Sequence, residues 1–501
     1  MTTLEQTQEK QIDELETEND LLRLQVRELK SQIYGAKSER RESAQTDGQG
    51  LLEGVAEAML EDEPAKATRT KAKPVKGQGR KRGPKPLCAN LRRESVAIAD
   101  PDLADLICPV TGKLMRPGFQ QKIEVLSRKP AEYFVKVFTR NVFVSPAKEA
   151  PVAAAWPASV LPNARVDASV VASVLCSRFA DHLPFYRQQG ILRRHGVEIS
   201  RATMSGWVRR VEESCKPLVD LIAKSVLESG YVQLDATPVK LLDPARPGAA
   251  REACAWAYRA LDGPVFFEFA MGKSGETPKS RLEDYEGILQ TDGASNFGGT
   301  TEKERVVHLL CWAHARRYFH KAFQAGEKRA EAYLDGIGRI YRLEKLCGIH
   351  KLDSSGKQKL RERIALPLAR KLFAQVKLWR ESSPMRKTAM GRAADYFLKR
   401  EKELLECLLQ PGSRIDNNLV ENAIRPLKLG LKNYLFIGHP DAGSSFACLY
   451  TLVENCRLAG ANPEEYLADL IERLLDHPMR RLEEFIPQNW VKLRKSKNDD
   501  Q

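Results

Sequence analysis

Over the first 33 residues the apolar positions recur at spacings of three and four: Ile12, Leu15, Leu22, Val26, Leu29 and Ile33, with Asn19 in step among them. This is a heptad with Ile12, Asn19, Val26 and Ile33 at a and Leu15, Leu22 and Leu29 at d. Leucine at d with mainly β-branched residues at a predicts a parallel two-stranded coiled coil, and Asn19 would pair with its twin to fix the register. Glu18 at g stands opposite Arg23 at the partner's following e position. A single amphipathic helix is the other reading of three heptads. Residues 41–86 lose all periodicity and are rich in Gly, Gln, Ala and Lys, which predicts a flexible basic linker. The pattern from 87 to 150 is mixed, with strand-like runs at Tyr133–Val137 and Asn141–Val144.

Helical periodicity governs residues 151–229. Val170, Val171, Val174, Leu175 and Phe179 make one apolar stripe, and Phe185, Tyr186, Ile191 and Leu192 begin another after Pro184. Gly196 marks a turn, and Ser200 is a fair N-cap for the helix SRATMSGWVRRVEE. Helix, glycine turn, then a helix opening on polar and basic residues is the grammar of a helix-turn-helix. In that arrangement Arg201, Thr203 and Ser205 face base edges, Arg209 and Arg210 sit near phosphates, and Met204, Trp207, Val208 and Val211 pack inward. An ordinary helical pair is the alternative.

From Tyr231 the period changes to two. YVQLDATPVKLL, EACAWAYRAL and PVFFEFAM read as three strands with short turns, followed by a helix-like ETPKSRLEDY. GILQ and VVHLLCW are two further apolar strands, and AHARRYFHKAF is a basic helix. The prediction is an α/β core with a mixed sheet, a meander first and crossovers after it. Apolar stripes such as Leu366, Leu368, Leu372, Phe373 and Val376 predict a helical insertion at about 325–412. Residues 441–501 read as C-terminal helices, with Phe446, Leu449, Tyr450, Val453 and Cys456, then Tyr466, Leu467, Leu470, Ile471 and Leu474, turned inward.

Composition narrows the classes. With 501 residues the chain has ample material for a core, and its 42% hydrophobic content excludes a wholly disordered protein. No run approaches the ~18 uncharged apolar residues of a membrane helix, and nothing near the N-terminus resembles a signal peptide. Ten scattered cysteines with no CxxC pair suit reduced thiols, so a cytoplasmic location is expected. The net charge of +14 is unevenly laid out: residues 1–65 hold 7 basic and 16 acidic side chains, whereas 66–86 hold nine basic and no acidic ones. The basic surplus of the body and the extended GRKRGPKP segment, with Arg80, Lys81, Arg82 and Lys85, suit a nucleic-acid backbone. A solvated linker fits that segment equally well. Near Ile107–Met115 only Cys108 could ligate a metal, so no zinc is expected there.

Two acids stand out. Asp235 lies inside the first strand and Asp292 ends the fourth; if those strands are neighbours, the carboxylates emerge side by side and call for a divalent cation. Oxygen ligands without a thiol or histidine cluster select Mg²⁺ or Mn²⁺. Glu421 is the best third carboxylate, although Asn418 and Glu421 also fit a capping box, and Asp235 also fits a salt-bridged core acid. Taken one at a time, those structural readings are the stronger. After Glu421, Arg425, Lys428 and Lys432 are either phosphate contacts or a solvated basic face.

LDATPV around Asp235, LQTDG around Asp292, CWAHARRYF at Cys311–Phe319 and IDNNLVENAIRPLKLGLKNYLFIG at Ile415–Gly438 occur in an order that resembles the insertion-sequence-66 family of transposases. RFADHLPFYRQQGILRRHGVEISRATMSGWV resembles that family's helix-turn-helix region, and residues 87–150 occupy its zinc-knuckle region without the cysteines. The resemblance implies an RNase H-like fold over 230–440 and a DDE triad of Asp235, Asp292 and Glu421 holding Mg²⁺ or Mn²⁺. It implies 3′-end cleavage and strand transfer on double-stranded DNA at element ends and target. Small accessory proteins of the same element are implied partners. Cys311 and His314 match a C-x-x-H feature of related transposases, read here as a packed thiol and a satisfied histidine because zinc would lack two further ligands. The competing classes are a catalytically silent, transposase-derived DNA-binding regulator and a metal-free carboxylate-pair hydrolase. The heptads give the first prediction: removing residues 1–40 halves the mass seen by sedimentation, and equal masses with and without them rule out the coiled-coil dimer.

Overall fold

The computed structural model describes residues 133–134, 142–143, 152–153, 160–161, 166–243, 250–297, 304–383 and 387–499. Those from 142 onward belong to one compact unit that takes in residues 140–501, while Tyr133 and Phe134 belong to another, residues 64–139. The heptad positions Leu15, Asn19, Leu22, Val26 and Leu29 lie outside the described residues, as do Arg80, Lys81 and Arg82 and most of 87–150. Tyr133 and Phe134 are not in a strand, contrary to the expectation for that run, and Phe134 is exposed. Val142–Phe143 (β1) and Val152–Ala153 (β2) form a short antiparallel pair.

Five strands make the central sheet: Tyr231–Leu242 (β3), Ala250–Ala260 (β4), Val265–Ala270 (β5), Gly287–Thr291 (β6) and Val306–Leu310 (β7). Their order is β5-β4-β3-β6-β7. The first three run antiparallel, as short turns permit, and β6 and β7 join β3 in parallel. The mixed α/β class expected from the alternation is therefore observed. Strand β3 is central and buried on both faces at Tyr231–Leu234, then alternates inward and outward from Thr237. It pairs with β4 along its whole length but with β6 only through Tyr231, Val232 and Gln233. Beyond Gln233 one edge of β3 is thus left without a strand neighbour, which also accommodates Pro238.

A helix covers that edge. The segment Asp416–Asn417 hydrogen-bonds to Gln233, and Ile437 bonds to β3 again through Lys240 O (2.8 Å) and Leu242 N (2.9 Å). Between them runs the helix Asn418–Tyr434, whose 17 residues span about 26 Å. The eight strand steps from Gln233 to Leu241 also span roughly 26 Å, so helix and strand end together.

The helices group around this sheet. Ala168–Phe179 (α1), Phe185–Arg194 (α2) and Arg201–Leu227 (α3) precede it. Ser200 caps α3 by accepting from Thr203 N at 3.1 Å. The helix continues past the expected SRATMSGWVRRVEE stretch to Leu227 and carries Pro217 within it. Tyr186, expected on an apolar stripe, is exposed, because it lies on the face of α2 opposite the buried Gln188 and Leu192. Near the C-terminus, Ala442–Ala459 is buried on every side rather than along one stripe. It is held to strand β5 by Asn455 and Thr451, which bond Val265 and Phe267.

Helices between Ala330 and Leu409 pack on the helix Trp312–Gln324 through Trp312, Phe319, Phe373 and Phe397. Phe373 and Phe397 stack at 3.9 Å, and Trp312 meets both rings edge-on. A π-helical turn, Arg361–Ala365, presents Arg361 to this interior, where it is 0% exposed. Its guanidinium forks onto Glu344 (2.6 and 2.9 Å) and also donates to Ser413 Oγ and O at 2.8 Å. Burial pushes the Glu344 carboxyl up, but the Arg361 and Lys357 charges overcome this and leave it below its ordinary value. Removing one partner of such a pair strands the other charge. Arg361→Met should therefore cost about 3–5 kcal/mol in urea unfolding. A loss under ~1 kcal/mol would show the pair to be dispensable.

Candidate active site

Asp235 and Asp292 each lie two residues beyond the last β3–β6 pair, Gln233 with Gln290, one on each strand's path. The parallel register thus carries the two acids out of the sheet side by side. Behind them is a buried polar clamp. Gln233 Nε2 donates to Gln290 Oε1 (2.7 Å) and to Asp416 O (2.8 Å), and Gln233 Oε1 accepts from Val420 N (3.2 Å). Gln290 Nε2 donates to Arg414 O at 2.8 Å, and Tyr231 OH donates to Gln290 Oε1 at 2.9 Å. These bonds fix the segment 414–420 against both strands and set Glu421, in the first turn of its helix, where its charge acts on Asp235. Polar groups this deeply buried are tolerated because they are paired.

Electrostatics records the convergence. Burial, Asp292 and Glu421 push the Asp235 carboxyl up to about 7, against a hydrogen bond from Ala236 N and the charge of Lys428. Glu421 is also raised, first by burial, while Arg317, Arg425 and Lys428 pull it down. Its Oε1 is buried without a hydrogen-bond partner, and its neighbours are His314 Nε2 at 3.7 Å and Arg317 at 3.9 Å. It does not close a capping box: the helix is entered at Asn417, and Asn418 N bonds Asp416 Oδ1 instead. Asp292 Oδ1 accepts from Ala294 N (2.9 Å), and its backbone oxygen accepts from Tyr396 OH (2.7 Å). Gly293 has φ +78°, and a side chain there would run into Arg400, whose guanidinium donates to Gly293 O at 2.6 Å. His314 is lowered to about 4 by burial and by Arg317, so its ring is neutral at neutral pH.

Three half-buried carboxylates with an orphaned oxygen among them suit a hard divalent cation, since each is an oxygen donor and together they repel. Of the basic residues, Arg425 and Lys428 act on these acids, while Lys432 is exposed a turn further along. Arg201, Thr203, Ser205 and Arg209 are all exposed on α3, and Met204, Trp207, Val208 and Val211 are buried beneath them. Sequence reasoning missed Tyr231, Gln233, Gln290, Arg317, Tyr396 and Arg400. The available signal was a glutamine two residues before each aspartate, inside an otherwise apolar strand.

Residues 163–445, more than half of the chain, match the family described as transposase IS66 family. The chain belongs to that family. Residues 451–488 match the IS66 C-terminal element, and residues 21–96 match the family described as Transposase C of IS166 homeodomain. Relatives in Sinorhizobium fredii (strain NBRC 101917 / NGR234) carry the names uncharacterized protein y4qI and y4jD. The first is 28% identical over 83% of this chain and 79% of its own length. The second is 28% identical over 94% of both chains. No solved structure matches the chain. Membership of the IS66 transposase family supports a transposase role and implies DNA binding. No helix among the described residues is long and apolar enough to cross a membrane.

The crowded carboxylates have a pH signature. A folded-state pKa above the unfolded value means the native state holds more protons between about 4 and 7, so Asp235 makes stability fall as pH rises through that window. In EDTA at pH 8, Asp235→Asn should melt above the wild type, and the gap should close toward pH 4. A variant that melts at or below the wild type at pH 8 contradicts the crowding.

Proposed function

We propose that this IS66-family transposase binds the ends of an insertion sequence and catalyses divalent-metal-dependent DNA 3′-end cleavage and strand transfer. Asp235, Asp292 and Glu421 are its DDE triad. What supports this reading is the β3–β6 register, which sets Asp235 and Asp292 on neighbouring strand paths, together with the charges of Asp292 and Glu421, which both raise the Asp235 carboxyl. The sheet, three antiparallel strands followed by two parallel ones, supports an RNase H-like catalytic domain. The exposed polar and basic face of α3 above a buried apolar one supports a helix-turn-helix role for α2 and α3. A homodimer through the N-terminal heptads and accessory proteins of the same element complete the proposed assembly.

Asp235, Asp292 and Glu421 would hold Mg²⁺ or Mn²⁺, which supplies the Lewis acidity that attack on a phosphodiester requires. The chain's own residues set up that chemistry. The glutamine clamp fixes the angle between the strands that carry the aspartates, and Tyr396 and Arg400 hold the Asp292–Gly293 turn by its carbonyls. Arg317 and His314 flank Glu421 and keep its carboxylate near the pair. Arg425 and Lys428 bring positive charge next to the acids, where DNA phosphates would lie. Joining a freed 3′ end to target exchanges one phosphodiester for another, so no nucleotide cofactor is called for.

Asp235→Asn, Asp292→Asn and Glu421→Gln should each abolish Mg²⁺-dependent nicking of DNA that carries the element's ends. Binding of that DNA in a mobility-shift assay should change little. Cleavage retained by Asp235→Asn would remove that residue from the mechanism. End binding without nicking by the wild type would leave the silent regulator instead.

A further inference from the structure

At Cys311 and His314 zinc was not expected because two further ligands were missing, and the fold brings one of them, Glu421, to the pair. Cys311 is the N-cap residue of the helix Trp312–Gln324, and His314 follows in its first turn, so thiol and imidazole share one face. The glutamine clamp then brings Glu421 from more than a hundred residues away onto the same spot. One ligand atom from each of Cys311, His314 and Glu421 lies within 4.8 Å of the other two. The His314 Nε2 to Glu421 Oε1 distance, 3.7 Å, is close to the roughly 3.3 Å edge of a tetrahedron with metal–ligand bonds of about 2 Å.

The surrounding polar atoms are unsatisfied. Glu421 Oε1 and His314 Nδ1 are buried without hydrogen-bond partners. So are both side-chain amide atoms of Asn417, whose backbone N–H points at Cys311 Sγ from 3.4 Å. Buried polar groups are normally paired, and a concentration of orphans beside three ligating side chains marks a place built around a bound species. Sulfur, imidazole and a single carboxylate oxygen are the donor set of a borderline-soft cation, and they differ in kind from the all-oxygen set formed by Asp235, Asp292 and Glu421.

We propose that Cys311, His314 and Glu421 form a second metal site, selective for Zn²⁺-like cations, that acts as an off-switch. It rests on the transposase reading only for its consequence, because Glu421 belongs to both sites. Glu421 belongs to both donor sets, so its Oε1 bound to the soft cation is not free for the hard one, and the two occupancies oppose each other. Binding is a simple exchange: the Cys311 S–H gives its proton to solvent, the thiolate, a neutral imidazole nitrogen and a carboxylate oxygen bind the cation, and no electron is transferred. A water completes the tetrahedron, as in zinc sites with three protein ligands. Cys311 is not one of the three acids of the hard-metal set, so its substitution probes the switch.

Cobalt(II) reads this site directly, because thiolate ligation gives an intense near-ultraviolet charge-transfer band that oxygen ligation does not. The full-length protein, stripped with chelator and titrated with Co²⁺ in excess Mg²⁺, should develop the band. Cys311→Ser and His314→Ala should lose it, while Asp235→Asn should keep it. A wild type without the band, or a band that survives in Cys311→Ser, overturns the site. If Cys311→Ser fails to fold, His314→Ala with an unchanged melting profile decides the same question. The switch is then tested by adding Zn²⁺ to Mg²⁺-dependent nicking. Inhibition should move to roughly tenfold higher Zn²⁺ in Cys311→Ala, and equal inhibition in both proteins overturns the off-switch. If no nicking occurs at all, the catalytic reading fails while the cobalt spectrum still stands or falls alone.

Discussion

Two buried glutamines hold the centre of this molecule together. Gln233 and Gln290 sit opposite each other where β3 and β6 pair; one hydrogen bond joins them, Gln233 makes two more to the segment before Glu421, and Gln290 makes one. Amides suit this position because a carboxamide both donates and accepts, whereas an apolar residue would satisfy neither Asp416 O nor Val420 N. In a low-dielectric interior such a network is worth most when every member is paired. The strands that carry Asp235 and Asp292 and the start of the Glu421 helix are thus held together by groups carrying no charge.

The helices between Ala330 and Leu409 belong to the same construction. Arg361 reaches from its π-turn to Ser413, immediately before the segment that the glutamines hold. Tyr396 and Arg400 reach to the carbonyls of Asp292 and Gly293. The helical layer therefore grips both the second acid and the approach to the third, and its aromatic interior around Trp312, Phe373 and Phe397 gives those grips a rigid base. Burial of the ion pair between Arg361 and Glu344 is tolerated because the guanidinium is fully hydrogen-bonded.

Much of this was legible in the residues. Alternation in YVQLDATPVKLL and the short turns that separate it from two further strand-like runs announce a meander, and Asp235 and Asp292 stand out as carboxylates in or at the end of such strands. Glu421 was readable as a third carboxylate but stood against a local capping-box reading, and the structure does not form that box. The glutamines were not legible as a clamp: periodicity treats Gln as a position facing water, and nothing local says that residues 414–420 will fill the gap beside β3. Tyr186 misled for the opposite reason, an apolar residue on the helix face turned away from the buried Gln188 and Leu192. Pro217 inside α3 and the all-round burial of Ala442–Ala459 likewise depend on neighbours rather than on local preference.

The matched lengths of β3 and its covering helix constrain how this chain can vary. Both ends of the helix are tied to the strand, at Gln233 and at Lys240–Leu242, so neither can lengthen alone. One residue inserted between Asn418 and Tyr434 would swing everything after it by about 100° and 1.5 Å, turning Arg425 and Lys428 away from the acids. One residue added to β3 before Asp235 would flip that carboxylate to the opposite face of the sheet. Drift in this stretch is confined to substitution, and length change is left to the connections outside it.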